Sequence, residues 1–395
     1  MRSEKTQKRF DKAKNKTLVQ FNKSRIRTSE AVRSGDFWIT ALVLGLVTFG
    51  VIMVFSASYY YAINKGYSPY HYLIRGTAWA VIGTMSMLFM ASFDYHRFKG
   101  RFSTFILIVG IILLLLVFTP LGVTLNHATR WLNLGIATIM PGEWAKPACI
   151  VFVAAFLGKD PRLIHNFSKG ILPVVGVMGV CAGLIMLQPN TSTAATLCMI
   201  ICGMLFVAGI RWRYIIGVAV AAAGAFAYFI LSDEGGYRMA RVTSFRDPFA
   251  DAMGGGYQVV QGLLAMGSGG LFGKGLGKSM QKTLYLPEPQ NDFILAIIGE
   301  ELGYIGLMLL LIAYLLLIWR CVKVSMNAPD MLGTLLASGV TLMISLQVIL
   351  NIMVVTSMMP PTGVILPFVS WGGNALIIFM GCMGIVLNVS RHSTK

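Results

Sequence analysis

Ten apolar runs, each close to the length that crosses a bilayer, decide what this chain can become. They centre on residues 38–57, 73–92, 102–121, 142–158, 170–187, 193–210, 214–231, 293–319, 332–356 and 372–389. The hydrocarbon core of a membrane takes about 20 apolar residues per helix. Within it, only helices and closed barrels satisfy their own backbone groups. The expected fold class is therefore an all-α polytopic membrane protein with about ten spans. Composition agrees: 56% of the 395 residues are hydrophobic and 12% are charged, against about 25% charged in a soluble domain. Mean hydropathy is +0.70. The run at 142–158 is short and carries Glu143 and Lys146, and the run at 214–231 is rich in Gly and Ala, as a thin or tilted span would be.

Orientation follows from Lys and Arg, which accumulate in cytoplasmic segments. An even number of spans puts both termini on one side. With that side inside, the inner segments 1–37, 93–101, 159–169, 211–213, 320–330 and 390–395 hold 23 of the 33 Lys and Arg residues. Both termini are expected in the cytoplasm. The net charge of +17 is then a topology signal with some attraction to anionic lipid, and nucleic-acid binding is not implied. Residues 1–36 read as a disordered basic tail and not as a signal peptide, because no apolar segment precedes Trp38. Residues 37–391 form the membrane domain, and 232–291 is its one long outer loop. All six cysteines fall in or at the inner ends of spans, so no disulfide framework is implied.

Charge inside a bilayer is expensive and marks functional sites. Arg75, Arg130, Glu143, Lys146, Glu288 and Asp292 all map to outer helix ends or outer loops, so chemistry is expected on that face. The loop 232–291 is too long for an ordinary connector and is expected to fold or re-enter. Its glycine run "GSGGLFGKGLGKS" lacks Walker A spacing. It reads as tight turns and close helix approach, with Lys274 and Lys278 available to lipid phosphates.

The eighth run, in "YLPEPQNDFILAIIGEELG", concentrates acid. Asp292 sits where the helix begins, which is also where a carboxylate caps one. Glu300 and Glu301 lie about two turns further in and on different faces. They read either as partners for Lys or Arg across the bundle or as cavity walls. Glu143 and Lys146 share one helix face, as a self-neutralising pair or as the wall of a polar cavity. In the ninth run, "LMISLQVILNIMVV" suits a lipid-facing or partner-facing surface and equally suits bundle packing.

Several segments together resemble one family. "YRMARVTSFRDPFADAMGGGYQVVQGLLAMGSGGLFGKGLG" followed by "LYLPEPQNDFILAIIGEELG", with "HATRWLNLG", "MPGEWAKPA", "QPNTSTA" and "PPTGVILPFVSWGGNA", is similar in order and topology to the SEDS proteins. These are the peptidoglycan glycosyltransferases RodA, FtsW and SpoVE, and the wording is nearer the FtsW and SpoVE branch. The resemblance covers about 37–391. It implies that Asp292 is the catalytic base, that Glu288 with Pro287 shapes its loop, and that Arg75, Arg130 and Lys146 are the cavity cations. It places Ser370 in a turn closing the same face. The implied substrate is lipid II, a disaccharide-pentapeptide on undecaprenyl pyrophosphate, and the implied partner is a class B penicillin-binding protein. Departures fall at Asn190-Thr191-Ser192, where the family commonly has Asp and Leu-Gly, at Gln290-Asn291 for His-Thr, and at Trp371 and Asn374-Ala375 for Tyr and Ser-Ser.

The residues suit that chemistry. A sugar 4-hydroxyl is a weak nucleophile, so a carboxylate must take its proton, and cations must meet the charge on a departing pyrophosphate. One acid suffices here, whereas a glycosidase needs two flanking carboxylates. Two other readings use the same residues: a flippase of lipid-linked precursor, and a scaffold activating a penicillin-binding protein. No His, Cys and carboxylate cluster has metal-ligand spacing. A divalent cation, Mg2+ or Mn2+, held by substrate phosphates would leave no motif, so the sequence commits to no cofactor.

Overall fold

The computed structural model describes residues 35–393 except 126, 127, 134, 136, 137, 161, 162, 164, 165, 232–244 and 246. The expected tail, up to residue 34, and the first part of the long outer loop lie outside the described residues. Each of the ten apolar runs is a helix. In chain order these are α1 (Phe37–Asn64), α2 (His71–Ser92), α3 (Arg101–Leu116), α4 (Pro141–Lys159), α5 (Leu172–Leu187), α6 (Thr191–Val207) and α7 (Trp212–Leu231). Among the described residues a further helix, α8 (Tyr257–Ser268), lies inside the long loop, followed by α9 (Ile294–Met326), α10 (Met331–Val355) and α11 (Gly373–His392). By length and composition α1, α2, Phe167–Leu187, α9, α10 and α11 are fit to cross a membrane, and α3, α6 and the first part of α7 are shorter apolar helices. The chain is a multi-pass helical membrane protein.

Capping residues set several helix starts. Asp36 accepts from the Trp38 and Ile39 amides at 3.0 and 3.4 Å and also meets Arg320 at 2.7 Å, tying the start of α1 to the end of α9. Asn190 caps α6 through the Thr193 amide at 3.3 Å. Asn and Asp cap about equally well, so the departure at position 190 keeps this local role. Asp330 caps α10 through the Gly333 amide at 2.9 Å. Its carboxylate also accepts from the Tyr95 hydroxyl at 3.0 Å and from Lys99 at 3.1 Å, which joins α10 to the α2–α3 connection.

Small residues allow the closest helix pairing. A Cβ at Gly384 of α11 would lie 2.3 Å from the Met87 carbonyl of α2, so only glycine permits this crossing. At the centre stands α10, buried over most of its length and including Met343, Ile344, Gln347, Asn351 and Val355. Of the two readings for the ninth run, bundle packing holds for Met343, Ile344 and Val348, while Ile349 is exposed and Ile352 and Met353 are half-buried. An exposed apolar stripe also runs along α9, through Tyr304, Leu309, Leu315 and Trp319.

A three-stranded antiparallel sheet interrupts the all-α expectation. β1 (Gly122–Leu125), β2 (Ala128–Asn133) and β3 (Thr138–Ile139) fill the connection from α3 to α4. Along β2, Ala128 and Leu132 are buried and Thr129, Arg130 and Trp131 between them are partly exposed; the two-residue alternation of a pleated strand is broken where the pairing with β1 is irregular, at Val123–Thr124.

The described rest of the long loop folds back onto the bundle. From α8 the chain runs along α9, with the Lys274 and Gly275 amides donating to the Glu300 and Glu301 carbonyls, both at 2.9 Å. The Tyr304 amide returns a bond to the Gly270 carbonyl at 2.9 Å. This approach requires α9 to break at Gly303, where φ is 68°. A Cβ there would meet the Gly273 nitrogen at 2.3 Å.

Candidate active site at the mouth of α9

The four acids of the eighth run divide by depth. Glu300 and Glu301 are fully buried, and both serve the folded-back loop. Glu300 binds Lys274 Nζ at 2.7 Å, the Ser279 hydroxyl and the Met280 amide. Glu301 binds Lys282 Nζ at 2.7 Å, and the Ser56 hydroxyl of α1 donates to both its oxygens at 2.8 Å. The reading as partners for lysine across the fold is the one realised. Lys274 is consequently engaged by Glu300, while Lys278 remains exposed.

Asp292 and Glu288 lie outside this staple, both part-buried at the mouth of α9. The N-cap position of α9 is Phe293, one residue beyond Asp292. The loop is fixed by its backbone. Asn351 Nδ2 donates to the Asp292 carbonyl at 2.8 Å and to the Val364 carbonyl at 2.7 Å. The Trp371 amide donates to the Gln290 carbonyl at 2.9 Å. Two segments distant in sequence, 288–292 and 364–371, are thereby sewn together.

Glu288 has a φ of 42°, a conformation that costs a non-glycine residue about 1–3 kcal/mol and that tends to persist at functional sites. Its carboxylate accepts from Asn291 Nδ2 at 2.7 Å. It also interacts with Tyr61 and Tyr72, and Tyr72 in turn with Arg75. The Tyr72 and Trp371 rings meet edge to face at 4.9 Å. Arg75 itself is exposed on the first turns of α2. Ser370 acts within its own turn, where its Oγ accepts from the Leu366 amide at 2.8 Å. Asp292, Glu288, Ser370 and Arg75 thus share one end of the bundle.

Arg130 and Lys146 form a second group around the start of α6. Arg130 donates through Nη2 to the Pro189 carbonyl. Lys146 Nζ lies 2.7 and 2.8 Å from the two Glu143 oxygens, and the two side chains are 3% and 11% exposed. Of the two readings for this pair, mutual neutralisation is what the structure displays. The ammonium is enclosed within this pair. The groups are linked by Ser192, whose hydroxyl donates to the Thr362 carbonyl at 2.9 Å, and by Asn374, whose Nδ2 donates to the Thr138 carbonyl. Among the described residues no group of three His, Cys, Asp or Glu could hold a metal ion, and all six cysteines are free.

The family model FTSW_RODA_SPOVE, described as "Cell cycle protein", matches residues 37–395. The chain belongs to this family. It is 39% identical over 361 residues to stage V sporulation protein E of Bacillus subtilis (strain 168), covering 91% of this chain and 98% of that protein. It is 37% identical over 362 residues to a probable peptidoglycan glycosyltransferase FtsW of Geobacter sp. (strain M18), with coverage of 91% and 98%. Among solved structures, a chain of a peptidoglycan synthase complex that coordinates polymerization and crosslinking superposes with a TM-score of 0.74 at 25% identity, covering 91% of this chain and 98% of that one. The rod shape determining protein RodA of Thermus thermophilus superposes with a TM-score of 0.67 at 25% identity, covering 92% and 98%. The FTSW_RODA_SPOVE fold is thus present over nearly the whole length.

Two positions carry the site and were not legible in the sequence. Asn351 reads as one polar residue in an apolar run, and Lys282 stands 19 residues from the acid it neutralises. An uncompensated carboxylate at Glu301 was the available signal for a lysine partner, but it did not say which lysine.

Proposed function

We propose that the protein polymerises lipid II into glycan strands on the outer face of the bacterial cytoplasmic membrane, with both termini in the cytoplasm and Asp292 as general base. The observation that carries this reading is the Asp292 loop, part-exposed at one end of the bundle and clamped to the 364–371 turn in a member of this family.

The incoming sugar 4-hydroxyl gives its proton to the Asp292 carboxylate as its oxygen bonds to the anomeric carbon of the lipid-linked donor. The bond from that carbon to the pyrophosphate breaks, and its electron pair leaves with the phosphate oxygen. Arg75 and Arg130 offer guanidinium forks suited to phosphate oxygens. Mg2+ or Mn2+ would arrive with those phosphates as part of the substrate. Glu288 and Ser370 shape the surrounding loops. A class B penicillin-binding protein is the proposed partner, with the exposed stripe of α9 as its membrane-embedded flank.

One observation favours this over transport. Glu300 and Glu301, the deeper acids of α9, are each bonded to a lysine of the folded-back loop, so they do not offer charge to a passing headgroup. The test is to supply purified protein with lipid II, with and without a candidate transpeptidase. Glycan chains resolved by gel are expected. Translocation of lipid II across vesicles without polymer would overturn the proposal in favour of a flippase.

A further inference from the structure

The clamp beneath Asp292 is a single side chain. Asn351 is fully buried in α10, and its amide group has two hydrogens. One goes to the Asp292 carbonyl at 2.8 Å and the other to the Val364 carbonyl at 2.7 Å, so the donor capacity is filled. The first acceptor belongs to the proposed base itself. The second belongs to the segment whose continuation, Trp371, bonds back to Gln290. The two ties fix the Asp292 loop from below and from the side.

The surroundings make the arrangement directional. Asn351 Oδ1 has no hydrogen-bond partner among the described residues, and neither polar atom of Gln347 does one turn away on the same helix face. Buried polar atoms without partners are uncommon in folded proteins. An apolar residue at 351 would remove one of them, so packing alone does not call for asparagine here. What only a donor at 351 supplies is the pair of bonds to the two carbonyls.

We infer that Asn351 is a positioning residue for catalysis: it sets the backbone of Asp292 against the 364–371 turn, and so sets where the carboxylate meets the acceptor hydroxyl. This rests on the reading of Asp292 as the base. A shift of about 1 Å at a reacting group is enough to lower turnover by about a hundredfold. Substrate binding by other parts of the protein is left as it was.

Asn388 provides the control. It is also a buried asparagine that bridges segments, accepting from the Tyr95 amide at 3.0 Å and donating to the Ala91 carbonyl at 2.9 Å, but at the opposite end of the fold. The experiment compares Asn351→Leu, Asn351→Asp, Asn351→Gln and Asn388→Leu in the full chain, in detergent, with lipid II. Amide hydrogen exchange over 286–296 and 362–372 is followed in parallel. Asn351→Leu and Asn351→Asp are expected to lose turnover about a hundredfold with KM within about twofold, and to exchange faster in both segments. Asn351→Gln, which keeps the two donors, should recover part of the turnover. Asn388→Leu should lower the melting temperature and leave turnover per folded molecule and exchange in both segments unchanged. Unchanged exchange in the Asn351 variants would overturn the clamp. Faster exchange with turnover within about twofold would overturn its catalytic role. Full activity in Asp292→Asn, assayed alongside, would remove the base assignment without altering what exchange says of the clamp.

Discussion

Lys282 Nζ lies 2.7 Å from Glu301 Oε1 with both side chains enclosed, and Ser56 of α1 bonds to each of them. This pair fastens the folded-back loop to α1 and α9 together. Removing one partner of a buried pair leaves a charge without compensation and costs about 3–5 kcal/mol. Glu301→Gln and Lys282→Met are each expected to lower the thermal midpoint strongly, and the double variant should regain most of the loss. Midpoints read by size-exclusion after heating would show it. An additive double variant would mean that the two side chains act independently.

Gly303 and Gly273 meet where the loop presses on α9. A Cβ at Gly303 would fall 2.3 Å from the Gly273 nitrogen, and one at Gly273 would fall 2.2 Å from the Glu301 carbonyl. Both have positive φ. Alanine at either position combines backbone strain with overpacking, and the expected loss is about 3 kcal/mol or more. Gly277→Ala, also at positive φ but with nothing close to its added carbon, should lose about 1 kcal/mol. Equal losses at all three positions would contradict the close approach.

The Glu143–Lys146 pair makes a related prediction with a different readout. Lys146→Ala should destabilise by about 3 kcal/mol, because it leaves the Glu143 carboxylate buried and unpaired. Glu143→Ala with Lys146→Ala should restore the protein level in membranes. If the double variant also polymerises lipid II normally, Lys146 is purely structural. A stable but inactive double variant would restore the role in phosphate binding that the family resemblance implies.

Between α9 and α10, Asp330 sets an acid limit on stability. Burial pushes its carboxyl up, but the Gly333 amide, the Lys99 ammonium and the Tyr95 hydroxyl together outweigh burial and hold it below the usual carboxylate range. A depressed value in the folded state means that the stabilisation is complete above the unfolded value, near about 4, and is lost as pH falls through the folded one. Thermal midpoints measured from about pH 5 down to pH 2.5 should therefore decline. Asp330→Asn, which keeps the cap, should decline less steeply over the same interval. The carboxylate is partly exposed, so the difference should stay near about 1 kcal/mol.

How much of this could be read in advance depends on what each feature rests on. Helix existence is enforced by lipid, so hydropathy alone located all ten runs. The sheet at Gly122–Ile139 escaped because strands of two to six residues between apolar helices leave too short a pattern. The break at Gly303 escaped because glycine is common in membrane helices; its need for positive φ appears only once Gly273 is seen against it. Glu300 and Glu301 point to different faces, so at most one of them could share a cavity with Asp292. The loop satisfies both: Lys274 pairs with Glu300, Lys282 pairs with Glu301, and Ser279 bonds to both carboxylates. Among the proposed site residues, Asp292 and Glu288 were marked by acid at an outer helix end. Asn351 acts through two carbonyls far away in sequence, and nothing local announces that.

The central claim is that the Asp292 carboxylate takes the proton of the acceptor sugar. Asp292→Asn keeps nearly the same shape and leaves the Asn351 bond to its carbonyl in place. Asp292 precedes the α9 N-cap, Phe293, and stability should change by about 1 kcal/mol. The decisive measurement is lipid II polymerisation by purified Asp292→Asn, with its melting temperature taken on the same preparation. The account predicts a folded protein that makes no glycan chains; long chains from that folded variant would contradict it.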